Sequence, residues 1–293
     1  MSNFDPAVVV GIDGSPSSIE ALEFAAAMAD RRKAPLSLVN VHQNPADELG
    51  LPMPAEFSGW AQDDEMEETL QAMAERIHTE YPHMSIRSRQ VGGPTATVLI
   101  ELSRRALATV VGRRGSGGFS ELLLGSVSAQ VSAHASGPVI VVRPPIPDDT
   151  ILPGPEEHRR RRPLGPVLAL SDGSEGAGLA LRFAAEEAVS RGVQLVIAHV
   201  YDGSDEDAEK LLFSAADSVE SIYSGPAIEL RPIYSKNLPE ALVEASRRAA
   251  LTVAGSRGRG GFAGMVLGSI SRTLTHHAYG PVAVVHPPAI KDQ

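Results

Sequence analysis

Cysteine is absent from this chain of 293 residues, which excludes disulfide staples, thiolate catalysis and zinc–sulfur sites. No apolar stretch approaches the ~20 residues needed to span a bilayer. The opening residues, Met1 to Pro6, carry no basic segment followed by an apolar core, so no secretory signal is visible. Positive charge is in deficit: 26 Lys and Arg stand against 36 Asp and Glu, a formal net charge of −10 with a pI near 5.4. Such a surface repels polyphosphate backbones at long range and argues against nucleic acid as a partner. It leaves room for a small nucleotide, whose phosphates are met locally by N–H groups and an arginine. The P-loop pattern G-x-x-x-x-G-K-S/T is missing, and no His/Glu or Ser/His pair stands out as a base aimed at water. The expectation is a soluble cytoplasmic protein with neither membrane nor nucleic-acid partners and no catalytic residues.

What the chain does contain is a repeat. Gly112-Arg113-Arg114-Gly115, nine residues, then Gly125-Ser126 recurs 143 positions later as Gly255-Ser256-Arg257-Gly258, nine residues, then Gly268-Ser269. Without a gap, residues 112–145 and 255–288 share 19 of 34 positions. Each copy follows a short apolar run (Ala108 to Val111, Leu251 to Ala254) and opens into a helical pattern. A glycine-rich turn between strand and helix lets backbone N–H groups converge on an anion. The layout suits phosphate, and it is built twice.

The rest of the chain repeats around these copies. Ala7 to Ile12 is an almost continuous apolar run of the kind buried in a parallel sheet, broken by Asp13-Gly14-Ser15-Pro16. A helix follows, with Ala21, Leu22, Phe24, Ala25, Met28 and Ala29 at helical spacing, then a strand over Leu36 to Val41. The second half runs in the same order: Val167 to Leu170, Asp172-Gly173-Ser174, a helix around Ala180 to Ala185, and Leu195 to Val200. In each half a further helix, a strand (Ile86 to Val91; Ile228 to Tyr234), a helix (Ala96 to Ala106; Pro239 to Ala249), the motif, its helix and a last strand (Val139 to Arg143; Val282 to His286) complete the set. Alternating strands and helices imply right-handed crossovers and a parallel sheet covered on both faces. The fold class is therefore α/β, with two tandem Rossmann-like domains of five parallel strands each, over residues 1–147 and 164–293, joined by a linker at 148–163.

In such sheets ligands sit beyond the carboxyl ends of the strands, where strand order reverses. Asp13 and Asp172 follow the first strands, and Gly112 and Gly255 the fourth, so residues far apart in sequence converge on one crevice. Gly112 and Gly115 let the main chain pass close to a ligand and take positive φ where the turn needs it. Gly125 and Ser126 open a helix whose first N–H groups favour phosphate, with the Ser126 and Ser128 hydroxyls as caps or donors. Ser269 and Ser271 repeat this, and Arg114 and Arg257 supply fixed positive charge at equal loop positions. Asp13 is placed to accept from a ribose or base donor or to meet phosphate through a divalent cation; taken alone, Asp13-Gly14-Ser15 also reads as a helix N-cap. The halves differ at the same edge: Ser171 stands where the first half has Ile12, and Ser235 to Pro239 where it has Val91 to Pro94, so two sites of unequal affinity are expected. His134 and His277, near helix C-termini, read as structural.

The paired motif, G-x-x-G, nine residues, then G-S/T, each with an upstream Asp-Gly-Ser, resembles the nucleotide signature of the universal stress protein family in its tandem two-domain form, over nearly the whole chain. The resemblance implies an ATP site in each domain, with magnesium beside Asp13 and Asp172. The first would be lined by Asp13, Val41, Gly112, Arg114, Gly115, Gly125, Ser126, Val127 and Ser128. The second would be lined by Asp172, Val200, Gly255, Arg257, Gly258, Gly268, Ser269, Ile270 and Ser271. It further implies a regulatory role in stress survival, read by protein partners the sequence does not identify. The alternatives are a slow ATPase or nucleotide-transferring enzyme, and a nucleotide-free scaffold.

Three features remain. Asp13 to Gly112 spans 99 positions against 83 for Asp172 to Gly255, and the 16 extra residues fall around Pro45 to Trp60. That insertion reads as a surface loop on its own helix, or as a lid holding Trp60 over the site. Pro144 to Pro163, with its Arg159-Arg160-Arg161-Arg162 run, reads as a semi-rigid, solvated linker. The last strands, Val139 to Val142 and Val282 to Val285, each end at Pro-Pro. Since family members commonly dimerise through this strand, an intrachain pseudo-dimer of the two domains is expected, and a homodimer of chains besides.

Overall fold

The computed structural model describes residues 6–42, 60–115, 123–143, 165–258 and 267–288, side chains of 60–64 apart. The Pro144–Pro163 linker with its arginine run, and the 45–59 part of the insertion, lie outside the described residues. The chain divides into two compact units, one ending at Val142 and the other running Arg143–Pro288.

In the first unit the elements are β1 (Val8–Gly11), α1 (Pro16–Arg32), β2 (Leu36–His42), α2 (Trp60–Glu80), β3 (Ile86–Gly92), α3 (Thr95–Ser103), β4 (Ala108–Gly112), α4 (Ser126–His134) and β5 (Pro138–Val142). All strand pairs are parallel, in the order β3-β2-β1-β4-β5. Val8 pairs with both Leu36 and Ala108, so β1 lies between strands reached by opposite crossovers. The gap beyond the ends of β1 and β4 is the switch point where α/β sheets hold ligands.

Side chains alternate across the sheet. Val9, Val39, Val111, Val139 and Val141 pack with Ala96, Leu99 and Val131 of α3 and α4, while α1 lies on β1 and β4 and α2 on β2 and β3. Within α1, Ala21, Leu22, Ala25, Ala26, Met28 and Ala29 are fully buried; Leu22 and Met28 each contribute roughly 1.5–3 kcal/mol. Phe24, placed by its spacing on the same stripe, is only half-buried.

The second unit repeats this: β6 (Val167–Leu170), α5 (Glu175–Arg191), β7 (Leu195–Tyr201), α6 (Asp205–Glu220), β8 (Ile228–Tyr234), α7 (Leu238–Ala245), a 3₁₀ turn (Ser246–Arg248), β9 (Leu251–Gly255), α8 (Ser269–His277) and β10 (Val282–Val285). The order is β8-β7-β6-β9-β10, again all parallel. The helical pattern over Pro239 to Ala249 is corrected here: α7 gives way to the 3₁₀ turn at Ser246, whose hydroxyl donates to the Val243 carbonyl at 2.5 Å. Ser and Thr bonding back along a helix weakens it in this way. Among the described residues no helix is long and apolar enough to cross a membrane.

The first turns of α1 and α5 form for the same reason. Ser15 and Ser174 are extended N-cap residues whose hydroxyls accept from the N–H groups of Ser18 and Ala177, both at 3.2 Å. Their C-terminal ends differ. Gly192 takes φ +65° after α5, whereas Lys33 is held at φ +52° after α1, a left-handed conformation that favours glycine.

Candidate functional site

In the second unit, β6 delivers Ser171 and Asp172 to the sheet edge. The Ser171 N–H donates to the Ala198 carbonyl at 2.9 Å, extending the ladder one step. Gly173 then turns at φ +73°, and Asp172 Oδ1 accepts from the Ser174 N–H at 3.0 Å. Asp13 does the same with the Ser15 N–H (3.0 Å) and also accepts from its hydroxyl at 2.6 Å. Each aspartate thus braces the turn that caps the following helix: the serine caps and the aspartate holds it.

The glycine motif arrives from the neighbouring strand. In both units the residue after the strand and the last glycine of the motif close a ring. Gly125 N–H donates to the Arg113 carbonyl at 2.9 Å, and Gly268 N–H to the Ser256 carbonyl at 2.8 Å. A second tie runs from the helix: Ser128 Oγ donates to the Gly112 carbonyl (2.6 Å) and Ser271 Oγ to the Gly255 carbonyl (2.5 Å). The nine-residue spacing is therefore a loop whose two ends are stapled together, whatever course it takes between them.

These bonds correct two details of the sequence reading. The Ser128 and Ser271 hydroxyls spend their protons on strand carbonyls, whereas Ser126 and Ser269 are exposed at the first helical position. None of the motif glycines takes positive φ; those that do include Gly14 and Gly173 of the Asp-Gly-Ser turns. Gly112 is needed instead for close packing, since a Cβ there would lie 2.6 Å from the Ser17 carbonyl oxygen of α1. Likewise a Cβ on Gly115 would lie 2.5 Å from Asp13 Oδ2, and one on Gly258 would collide with Asp172 Oδ2. The missing side chains bring the two loops together, and a weak bond at 3.4 Å from the Arg114 N–H to Ser17 Oγ joins them.

All nine residues of the second predicted set line one cavity of about 310 Å³. Its walls add Leu238 and Leu242 of α7, Ala177 of α5, and Ser171 and His199. Gly268 caps α8 in extended conformation with no side-chain cap bond, as Gly125 does for α4, so these helix N-termini present their N–H groups to the cleft rather than to a cap. In the first unit the turn residues Asp13, Gly112, Arg114, Gly115 and Gly125 meet through the bonds described, and Val41 and Val127 pack on the apolar cluster behind them. Arg113 and Arg114 stand side by side there. Burial, then the neighbouring Arg114, pull the Arg113 guanidinium below its ordinary range, with Glu20 acting the other way. A guanidinium stays charged in proteins, so the shift reflects chiefly the cost of burying that charge, with a smaller part from the neighbouring Arg114. Buried Ser256 replaces Arg113 in the second unit.

Sequence reasoning passed over Asn40 and His199. Asn40 Nδ2 donates to the Ile12 carbonyl at 2.8 Å, and His199 Nδ1 lies 2.7 Å from the Ser171 carbonyl. Each sits on the second strand of its unit, one residue before the valine singled out, and holds the carbonyl just before the aspartate. The available signal was a polar residue at the same step of two largely apolar strands. Among the described residues no group of three or more His, Asp or Glu is placed to hold a metal ion.

The chain matches the Universal stress protein family over residues 6–143, 164–232 and 238–286. It is 33% identical over 293 residues to universal stress protein Rv2623 of Mycobacterium tuberculosis, covering 94% of this chain and 95% of that protein. It is 31% identical over 322 residues to universal stress protein Mb2019 of Mycobacterium bovis, covering 96% and 95%. The crystal structure of a universal stress protein from Archaeoglobus fulgidus aligns over 96% of this chain and 98% of its own, with a TM-score of 0.70 at 22% identity, a likeness of fold.

Proposed function

The chain belongs to the universal stress protein family, and from that premise we propose that it binds one adenine nucleotide, ATP, in each unit and acts as a nucleotide-dependent regulatory factor in stress survival. The observation that carries this reading is the convergence of all nine second-set residues on one cavity. Phosphates belong at the N-terminus of α8, against the N–H groups of Ser269, Ile270 and Ser271, with the Ser269 hydroxyl and the exposed Arg257 beside them. The apolar wall of Val200, Leu238, Leu242 and Ile270 suits a base, and Asp172 suits a ribose or base donor. Magnesium enters on the nucleotide's phosphates rather than through a protein cluster of its own.

Binding without appreciable turnover rests on the missing P-loop lysine and on the engagement of both aspartates with the turns that follow them. Dimerisation of whole chains belongs to the same proposal. Calorimetric titration with ATP and magnesium is expected to give two sites per chain, with light scattering on the same samples reporting a dimer. Gly125→Glu, which places a carboxylate at the α4 N-terminus, is expected to remove the first site alone. Full stoichiometry in a folded Gly125→Glu variant refutes the site. Phosphate release at the ~1–10³ s⁻¹ of ordinary enzymes, lost in Asp13→Ala, makes the protein an enzyme, and no binding at all makes it a scaffold.

A further inference from the structure

The helix whose first N–H groups face the second cavity, α8, is held from both ends. Three of its nine residues, Ser271, Leu274 and Thr275, are buried, and near its start Ser271 Oγ donates to the Gly255 carbonyl at 2.5 Å. The last carbonyls of a helix lack partners inside it. Here Arg143, the residue after β5 and the first of the second unit, serves them. Its Nη1 donates to the carbonyls of His276 at 3.0 Å and Ala278 at 3.1 Å. Its Nη2 donates to the Thr275 carbonyl and, more weakly at 3.4 Å, to that of Leu274. Arg143 is only 5% exposed, so a full positive charge is buried against the C-terminal turn of α8. The planar fork of a guanidinium suits that task, since it offers five N–H donors where an ammonium offers three.

We infer that Arg143 is a positioning residue of the second site, fixing α8 from its far end so that the N–H groups of Ser269, Ile270 and Ser271 stand where a phosphate meets them. This role rests on the nucleotide reading proposed above. Nine residues of helix span about 13 Å, so Arg143 touches no ligand and acts through α8. Two effects add. The first is geometric: Ser271 ties the first turn to β9 and Arg143 grips the last, so sliding or tilting the helix breaks one set of bonds. The second is electrostatic: a helix carries roughly half a positive charge at its N-terminus and half a negative charge at its C-terminus. Arg143 offsets the negative pole and leaves the positive pole to the phosphate.

The test uses the full chain with one site silenced at a time, Gly125→Glu leaving the second site and Gly268→Glu the first. The probes are ATP and adenosine, the latter measured by competition with ATP. Arg143→Met keeps an apolar stem of similar reach and removes the donors. In the Gly125→Glu chain it is expected to weaken ATP roughly five-fold, the worth of a buried charge at a helix terminus. Adenosine, which has no phosphate, should stay within about two-fold, because Val200, Leu238 and Leu242 of the apolar wall lie on β7 and α7. A merely structural role weakens both probes alike. Equal losses for ATP and adenosine, or no loss for ATP, overturn the role of Arg143 and leave the nucleotide site standing. In the Gly268→Glu chain Arg143→Met is expected to leave ATP affinity unchanged, and an equal loss there also overturns the role. Arg143→Lys keeps the charge without the fork and is expected to fall between Met and Arg. Should Arg143→Met fail to fold, native ATP affinity in Arg143→Lys overturns the role instead. Absence of ATP binding by the unsubstituted chain overturns the nucleotide reading and this role together.

Discussion

Two glycines in the first turn of α5, two residues apart, are expected to respond in opposite directions to the same added methyl group. A Cβ on Gly176 would lie 2.5 Å from the Arg257 carbonyl oxygen, about 1 Å inside the ~3.5 Å at which non-bonded heavy atoms are comfortable. The obstacle is backbone, in the loop that carries Arg257 to the cavity, so no side chain can swing aside. Gly176→Ala is expected to cost about 1–3 kcal/mol, the range for overpacking a well-filled site, and to weaken nucleotide binding in the second unit by displacing that loop. A Cβ on Gly178 meets nothing within 4 Å, and its N–H already makes the helical bond to the Ser174 carbonyl at 3.1 Å. Gly178→Ala is expected to stabilise the unit by about 0.8–1 kcal/mol through helix propensity alone. Two units need not unfold as one transition, and the single tryptophan, Trp60, lies in the first. Hydrogen exchange followed by mass spectrometry over α5 and β6 therefore serves better than fluorescence. Protection should fall in Gly176→Ala and rise in Gly178→Ala; a neutral or stabilising Gly176→Ala would sink the packing argument for the motif glycines generally.

Lys33 and His276 offer independent tests. Lys33→Gly places the residue found at the matching end of α5 into a left-handed conformation (φ +52°) and is expected to add about 0.5–1 kcal/mol; its exposed pair with Asp30 at 3.6 Å is worth little. A fall in thermal stability would refute this. The His276 imidazolium is held below its ordinary range by burial first, then by His277, Arg143 and Arg272. Its folded-state pKa is depressed, so the unfolded chain takes the proton first, and the contribution present above the ordinary histidine pKa is lost as pH falls. Denaturant titrations between pH 7.5 and 5 should show the second unit weakening, with a shallower slope in His276→Asn; an unchanged slope assigns the loss elsewhere.

Sequence patterns carried the succession of strands and helices and the two converging loops because those depend on apolar runs and glycines. They carried less of how the loops are held. Ser128 looks like a free hydroxyl in the pattern Gly-Ser-Val-Ser, and only the three-dimensional turn brings its Oγ within 2.6 Å of the Gly112 carbonyl. Gly112 and Gly115 read as places of close approach to a ligand, with positive φ only where the turn needs it; the close approach the structure shows is to Ser17 and Asp13, about a hundred residues away in sequence. Helix ends shifted as well: α7 stops at Ala245, where a 3₁₀ turn over Ser246–Arg248 takes over.

Set side by side, the two copies keep one kind of interaction and vary another. The ring closures at Gly125 and Gly268, the hydroxyl ties of Ser128 and Ser271, and the aspartate braces of Ser15 and Ser174 recur within 0.1 Å or less of each other. These are backbone-directed bonds, and losing any one leaves a buried donor or acceptor unpaired at about 1–3 kcal/mol. The side chains around them change freely: Arg113 becomes Ser256, Ile12 becomes Ser171, Asn40 becomes His199. In both copies a glycine caps α4 or α8 without a side-chain oxygen, while Ser15 and Ser174 cap α1 and α5. Glycine at an N-cap costs only about a few tenths of a kcal/mol relative to serine, and an anion seated at the helix N-terminus offsets that cost. The uncapped pair, at the same helix in both units, is what the proposed nucleotide would complete.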